Sequence, residues 1–186
     1  MIYTVECSFA DPASETGWNH FYSHEKLPAL ISVTGFHTSQ RFRSIRDNCP
    51  AYLAIHTVDS LDVLSGEEYR RKGGGNFGRW QQHITDWHRN LYSDIGLAPA
   101  VNADELLVLC ESGPEPLIAM GLEPLAMHAV AQGKHAVAQG KRAARRWLAV
   151  LSRQNAPTVE NIPQNVYLYA PITAQLTRSD AVGTAR

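Results

Sequence analysis

The stretch WNHFYSHEKLPALISVTGFHTSQRF, residues 18–42, decides the fold. In its first half Trp18, Phe21, Tyr22 and Glu25 recur at helical spacing, which predicts a helix over residues 14–27 with an aromatic face. Just upstream, Asp11 or Ser14 can cap that helix and Pro12 suits its first turn. Pro28 disfavours helical geometry in the residue before it, although one further turn through Leu30 and Ile31 is compatible with the pattern. Gly35 then turns the chain into a strand over Phe36–Ile45. A helix with one apolar face thus delivers the chain straight into a strand.

Working outward, Ile2–Phe9 is β-branched and aromatic and reads as a strand before the helix. Asn48-Cys49-Pro50 makes a turn, and Ala51–Val58 is a third strand. Its Tyr52, Ala54, His56 and Val58 share one face, while Leu53, Ile55 and Thr57 share the other. Asp59-Ser60 caps a short helix over residues 61–71, and a glycine-rich loop follows. Trp80, Ile84, Trp87, Leu91 and Ile95 mark one stripe of a long helix ending at Gly96, and Glu105–Glu111 reads as a fourth strand. The order is β-α-β-β-α-β, an α+β ferredoxin-like unit over residues 1–112. Two helices on one face of four strands leave the other face bare. A second copy is the usual cover, so the pattern predicts a homodimer that shares an α/β barrel.

Residues 113–186 read as a C-terminal helix-strand extension packed on the same domain. Pro114, Pro116 and Pro124 make its start irregular. The heptapeptide HAVAQGK occurs at 128–134 and again at 135–141. A seven-residue duplication moves a helical face by only about 20°, so a helix tolerates it. Gly133 and Gly140 leave a loop-plus-helix reading equally open. Residues 142–152 are expected to be helical, with Trp147, Leu148 and Leu151 against Arg145 and Arg146. Val166–Ile172 is a last strand, one that extends or clasps a sheet edge.

A chain of 186 residues with 44% hydrophobic and 19% charged residues predicts one domain with a real core. Its formal charge of −1 supplies no global field for nucleic acid or an anionic membrane. Three widely spaced cysteines, Cys7, Cys49 and Cys110, form no C-x-x-C pair, which argues against a disulfide framework or a zinc knuckle. Reduced thiols, an N-terminus without a leader pattern and no apolar run of membrane-spanning length predict a cytoplasmic protein.

Residues 18–42 resemble the dimeric α/β barrel superfamily, especially its EthD-like members. The features that carry the resemblance are Phe21-Tyr22, His24-Glu25, Leu27-Pro28, Gly35-Phe36 and Arg41, in that order. The later Trp-rich segment ending in Asn90-Leu91-Tyr92 is also similar. At one position the chain departs: many relatives read Glu-His-Leu-Pro where this one has Glu25-Lys26-Leu27-Pro28. The resemblance implies a small-molecule protein. The superfamily includes cofactor-independent monooxygenases, isomerases, decarboxylating enzymes and haem-binding members.

Candidate site residues follow from polar groups set among aromatic ones. His56, mid-strand beside Tyr52, could act as a general base, with Arg41 as the stabiliser of an anion or enolate and His24 as a further acid–base group. His20, Tyr22, Tyr52 and His83 would contribute polar contacts, and Trp80 and Trp87 an apolar wall for a flat ligand. A core or interface role for His56 stands beside the catalytic one. His20 and His24, at i and i+4, have a spacing that could ligate metal, but there is no H-E-x-x-H pattern and the expected metal is none. Gly73-Gly74-Gly75-Asn76-Phe77-Gly78 satisfies G-x-G-x-x-G formally, yet it follows a charged helical segment instead of a strand; a lid is the better reading. The basic cluster Lys141, Arg142, Arg145 and Arg146 reads as a solvated helix face.

The expected function is therefore a homodimeric, cofactor-free enzyme. It would work by acid–base chemistry on a small apolar, aromatic or polyketide-like substrate, as an oxygenase, isomerase or lyase. A non-catalytic small-ligand-binding or accessory protein is the alternative. A haem protein with His20, His24 or His83 as axial ligand is the second.

Overall fold

The structure is a computed structural model that describes residues 1–130, 144–158 and 161–179. Its elements are β1 (Ile2–Phe9), α1 (Glu15–Phe21), a wide turn (Tyr22–Lys26), α2 (Leu27–Ile31), β2 (Phe36–Ser44) and β3 (Tyr52–Val58). Then come α3 (Leu61–Ser65), α4 (Glu67–Arg71), β4 (Ile84–Ser93), β5 (Glu105–Cys110) and α5 (Glu115–Ala119). The chain finishes with β6 (Leu125–Ala129), β7 (Arg145–Ser152), β8 (Val166–Pro171) and the short β9 (Leu176–Thr177). No helix among the described residues is long and apolar enough to cross a membrane.

The strands form an antiparallel barrel of eight, with β9 added against β2. Neighbours run β3-β1-β4-β6-β7-β5-β8-β2, and β2 pairs back onto β3 to close the ring. The first four strands lie in the order β4-β1-β3-β2, and the last four in the order β8-β5-β7-β6. Pairing within each set is long; Ile2–Cys7 matches Tyr52–Thr57, and Glu105–Cys110 matches Trp147–Ser152. The seams between the sets are short. At one, Tyr92 and Ser93 meet Ala129 and His128; at the other, Phe42–Ser44 meets Tyr169–Pro171.

Alternation along the strands sorts side chains into two cores. Tyr3, Val5, Cys7, Tyr52, Ala54 and Val58 face outward onto α1 and α2. Ile2, Leu53, Ile55, Tyr92, Leu107, Leu109, Met127, Leu148 and Tyr169 fill the barrel. The apolar face left bare by the first four strands is thus covered by strands of the same chain. A third cluster, including Leu106, Val108, Leu151 and Leu168, packs Leu117 of α5 on the outside of the second set.

Two expected helices are strands. Residues 80–95 were expected to be helical from the stripe Trp80, Ile84, Trp87, Leu91, Ile95; instead a tight turn over Gly78–His83 leads into β4. The same residues satisfy alternation, because Leu91 and Trp87 face the helices and Tyr92 the barrel. Pairing of eight of its residues with β1 and β6 settles the choice, and Asp86, at φ 49°, sits beside the bulge that pairing needs. The expected helix over 142–152 is β7 where it is described, with Arg146 and Leu148 inward and Trp147, Ala149 and Leu151 outward. Consequently the strand expected fourth, at 105–111, is the fifth, and its partners are β7 and β8. The strand expected at 166–172 is β8, and it clasps β5 to β2. Most of the HAVAQGK duplication lies outside the described residues; its first two residues end β6.

The helix over residues 15–31 is continuous but widened in the middle. The Leu27 N–H reaches back five residues to the Tyr22 carbonyl. Pro28 explains the widening: it has no N–H to give to the helix, and its ring crowds the carbonyl four residues before it. Upstream, Asp11 organises the entry turn by accepting from the Ala13 N–H at 3.1 Å and from the Ser14 hydroxyl; no side chain caps the helix at Ser14. Trp18 is fully buried, stacked on Phe9 at 4.8 Å and edge-on to Tyr52 at 4.6 Å. Truncating it to alanine would cost about 3–5 kcal/mol.

Candidate functional site

Between the helix and the outer face of the sheet lies a small cavity of about 10 Å³, room for about one water molecule. Tyr3 and Val5 come from β1, Tyr22, Lys26 and Leu30 from the helix, Tyr69 from α4, and Trp87 and Arg89 from β4. The loop Gly75-Asn76-Phe77 roofs it. Trp18, Tyr22, Lys26 and Leu30 fall on one i+4 stripe, and all four are buried.

Lys26 holds the roof down. Its ammonium donates to the Asn76 carbonyl at 2.5 Å and to the Gly73 carbonyl, and lies 5.3 Å from the Phe77 ring centre and 5.9 Å from that of Tyr22. Burial, and then the neighbouring Arg89 guanidinium, lower its pKa to about 8. The loop accepts this geometry through glycine. Gly73 and Gly75 have φ of +83° and +77°, and a Cβ on Gly74 would lie 2.3 Å from the Tyr69 ring. The Tyr3 and Tyr69 hydroxyls are 3.1 Å apart, and burial raises both phenol pKa values, as it does for Tyr22. All three remain neutral hydrogen-bonding groups at ordinary pH.

The residues expected at the site are dispersed over three places. Tyr22 and Trp87 line the cavity. His56 does not: it is fully buried behind Tyr3, stacked on that ring at 5.6 Å, with Nδ1 paired to the Ser39 hydroxyl at 2.8 Å. Burial, then Lys26, lowers its pKa to about 3, so it is neutral at pH 7. Arg41, also buried, fastens the helix; its guanidinium donates to the Asn19 carbonyl (3.1 Å), the Asn19 side chain (2.9 Å) and Ser23 (2.7 Å) and lies 4.1 Å from the Tyr22 ring centre. His20 and His24 are exposed, their rings 4.7 Å apart, on an open groove shared with Tyr52. Trp80 and His83 pack around Phe9. Among the described residues no group of three or more His, Cys, Asp or Glu side chains is placed to hold a metal ion.

Sequence reasoning missed Lys26, Tyr3, Tyr69 and Arg89. Lys26 was legible in principle, because it occupies a core position on the 18/22/26/30 stripe, where a lysine is out of place. Arg89 was hidden by the helical reading of its strand.

The chain has the fold of the dimeric α/β barrels, as residues 18–42 suggested, here as a small barrel of eight antiparallel strands. It is similar in structure to an anthrone oxidase-like protein, at a TM-score of 0.57 and 11% identity over 100% of this chain and 95% of that one. A protein from Lactobacillus acidophilus NCFM assigned as a monooxygenase aligns at a TM-score of 0.48 and 6% identity, over 95% of this chain and 96% of that one. No family model matches the sequence, and no curated protein does.

Proposed function

We propose that the protein is an oxygenase-type enzyme that processes a small, flat aromatic or polyketide-like metabolite without a dedicated cofactor, with Lys26 as its proton-transfer group. The observation that carries this reading is a buried lysine of pKa about 8 among aromatic side chains, beneath a glycine-rich loop that would lift to admit the substrate. A base is most useful when its pKa lies near the working pH. His56, at about 3, is a far weaker base, and its place behind Tyr3 suits the support of that ring. Arg41 then serves to hold the helix that carries Lys26. Lys26 also stands where many members of the resembling family carry the histidine of Glu-His-Leu-Pro.

The chemistry can be written for an anthrone-type substrate, the class named for the structural neighbour. The neutral amine takes a proton from the acidic ring CH₂. The resulting carbanion, conjugated with the carbonyl, gives its electrons to O₂, and the Lys26 ammonium returns its proton to the peroxide oxygen, so a hydroperoxide forms at that carbon and the amine is neutral again. Loss of water turns the hydroperoxide into a ketone, so one CH₂ and one O₂ become one C=O and one H₂O. Tyr22, Arg89 and Trp87, whose side chains border Lys26, would be the donors to the developing oxyanion.

The same reading divides the chain into two ferredoxin-like halves, β1–β4 and β5–β8, instead of one unit and an extension. Their shared strand order supports it. The residues that line the cavity all belong to the first half.

Oxygen uptake with anthrone, above its background autoxidation, tests the proposal. Lys26→Met should lose about 100-fold or more in turnover, whereas His56→Gln should stay within about tenfold. No uptake by the folded protein with anthrone or related phenolic tricycles, or a Lys26→Met variant as active as the parent, would overturn it. Anthrone binding without oxygen uptake would make the protein a binder.

A further inference from the structure

Resting on the reading of Lys26 as the proton-transfer group, we infer that the glycine-rich loop over residues 73–77 is the switch for that group: seating the loop turns Lys26 from an ammonium into an amine, and lifting it restores the proton. A base built in this way exists only while water is shut out.

The loop is tied to the helix that carries Lys26 at few points. Its backbone hydrogen bonds stay close to α4. Gly73 N–H donates to the Arg70 carbonyl at 3.1 Å, Gly74 N–H to the Tyr69 carbonyl at 2.8 Å, and Phe77 N–H to the Gln81 side chain at 3.1 Å. Among the described residues, the hydrogen bonds that cross from the loop to the helix are both made by Lys26, to the Gly73 and Asn76 carbonyls. Phe77 completes the contact, buried and edge-on to Tyr22 at 5.5 Å. Gly73 and Gly78 bracket the segment at φ of +83° and +56°, a region glycine enters without strain, so the loop can swing on its own ends.

What faces Lys26 decides its proton. The seated loop offers two carbonyls, which match the two N–H bonds of a neutral amine and leave its lone pair free. An ammonium has a third N–H, and the space beside it holds about one water. The titratable groups around it are Tyr3 of β1, Tyr22 of its own helix, Tyr69 of α4 and Arg89 of β4, with His56 of β3 behind Tyr3. Burial raises the three phenols and lowers His56 to about 3, so all four are uncharged at neutral pH. The Arg89 guanidinium is left as the charged neighbour. It repels a second cation, and no carboxylate lines the space to offset it. The rings of Phe77 and Tyr22, 5.3 and 5.9 Å away, attract a cation, but burial and Arg89 outweigh them. Lifting the loop returns the side chain to water, where lysine titrates at 10.5. Seating it, with a pKa of about 8, raises the amine fraction about 300-fold at neutral pH, and the released proton passes to solvent. By the same linkage the open loop holds the proton more tightly, so rising pH favours the closed loop.

Lysine side-chain NMR tests the switch, because the chain has four lysines and Lys26→Met identifies the signal. Lys26 should titrate near 8 in the parent. Gly74→Ala, whose Cβ would meet the Tyr69 ring at 2.3 Å, combined with Phe77→Ala, should strip hydrogen-exchange protection from residues 73–77. In that variant, with its fold checked by circular dichroism, Lys26 should titrate above about 9.5. The parent gives a second test: between pH 7 and 9 the opening equilibrium of the loop amides, corrected for intrinsic exchange, should fall about tenfold, and it should stay flat in Lys26→Met. The inference is overturned by Lys26 titrating near 10.5 in the parent, or near 8 in a variant whose loop is unprotected. A loop still protected in the double variant, or the same pH trend in Lys26→Met, overturns it as well. A loop-linked titration without oxygen uptake removes only the enzymatic reading, and uptake with a Lys26 titration indifferent to the loop removes only the switch.

Discussion

Arg146 of β7 and Glu6 of β1 meet inside the barrel, and removing the arginine should be the most damaging single polar change to the fold. The pair is bidentate, with Nη1 to Oε2 at 3.0 Å and Nη2 to Oε1 at 3.2 Å, and both side chains are fully buried. The Arg146 Nε lies 3.3 Å from a Glu111 oxygen. Burial alone would lower the guanidinium pKa, but Glu6, with Tyr92 and Glu111 behind it, raises it instead. Arg146→Met leaves the Glu6 carboxylate in the barrel without its guanidinium, a loss of about 3–5 kcal/mol. For a chain of this length that is a fall in Tm of about 6–20 °C. Glu6→Gln should cost less, about 1–3 kcal/mol, because Glu111 still faces the arginine. The double replacement Glu6→Leu with Arg146→Met should recover most of the loss, since an apolar pair of similar volume needs no desolvation. Thermal and urea unfolding followed by circular dichroism at neutral pH would measure all four proteins. An Arg146→Met variant within about 1 kcal/mol of the parent, or a double variant no better than it, would refute the reasoning.

Two further outcomes are expected. The folded-state pKa of Lys26, about 8, lies below the ordinary lysine value of 10.5, so the unfolded chain binds the extra proton between those values. The contribution of Lys26 to stability should therefore rise with pH across about 8 to 10.5, by up to about 3 kcal/mol, against the opposite trend from buried Cys7, whose pKa is raised to about 12, and the difference between the parent and Lys26→Met in unfolding titrations should show that rise. Gly74→Ala should displace the Tyr69 ring, which a Cβ would meet at 2.3 Å. The expected loss is about 1–3 kcal/mol, with faster hydrogen exchange in residues 73–77; an unchanged Tm and unchanged exchange would show that the loop is not held against Tyr69.

Much of the first half could be read locally. β1, α1, β2 and β3 carry their periodicity in their own residues, and Gly35, at φ +89°, makes the turn that its sequence position suggested. The site was less legible. Tyr22 and Trp87 were found from aromatic spacing, but Lys26 looked like a simple departure from a family pattern until the 18/22/26/30 stripe was seen to be buried along its length. His56 was correctly placed on the Tyr52 face, and that face proved to be the one beneath the helices. No sequence signal says that Tyr3 would stand between His56 and the cavity.

What the sequence by itself determined was each segment that answers to its own neighbours, together with the need for a cover over the inner face of the first four strands. Which chain supplied that cover, and whether residues 84–93 and 145–152 became strands or helices, was decided only by tertiary structure. Trp80, Ile84, Trp87, Leu91 and Ile95 fit a helical stripe, while the alternation within β4 fits a strand equally well. The partners that broke the tie lie far along the chain, as with Glu6 opposite His88 and Leu107 opposite both Val150 and Tyr169. Periodicity records which way a side chain faces, and not which distant strand will pair with its backbone.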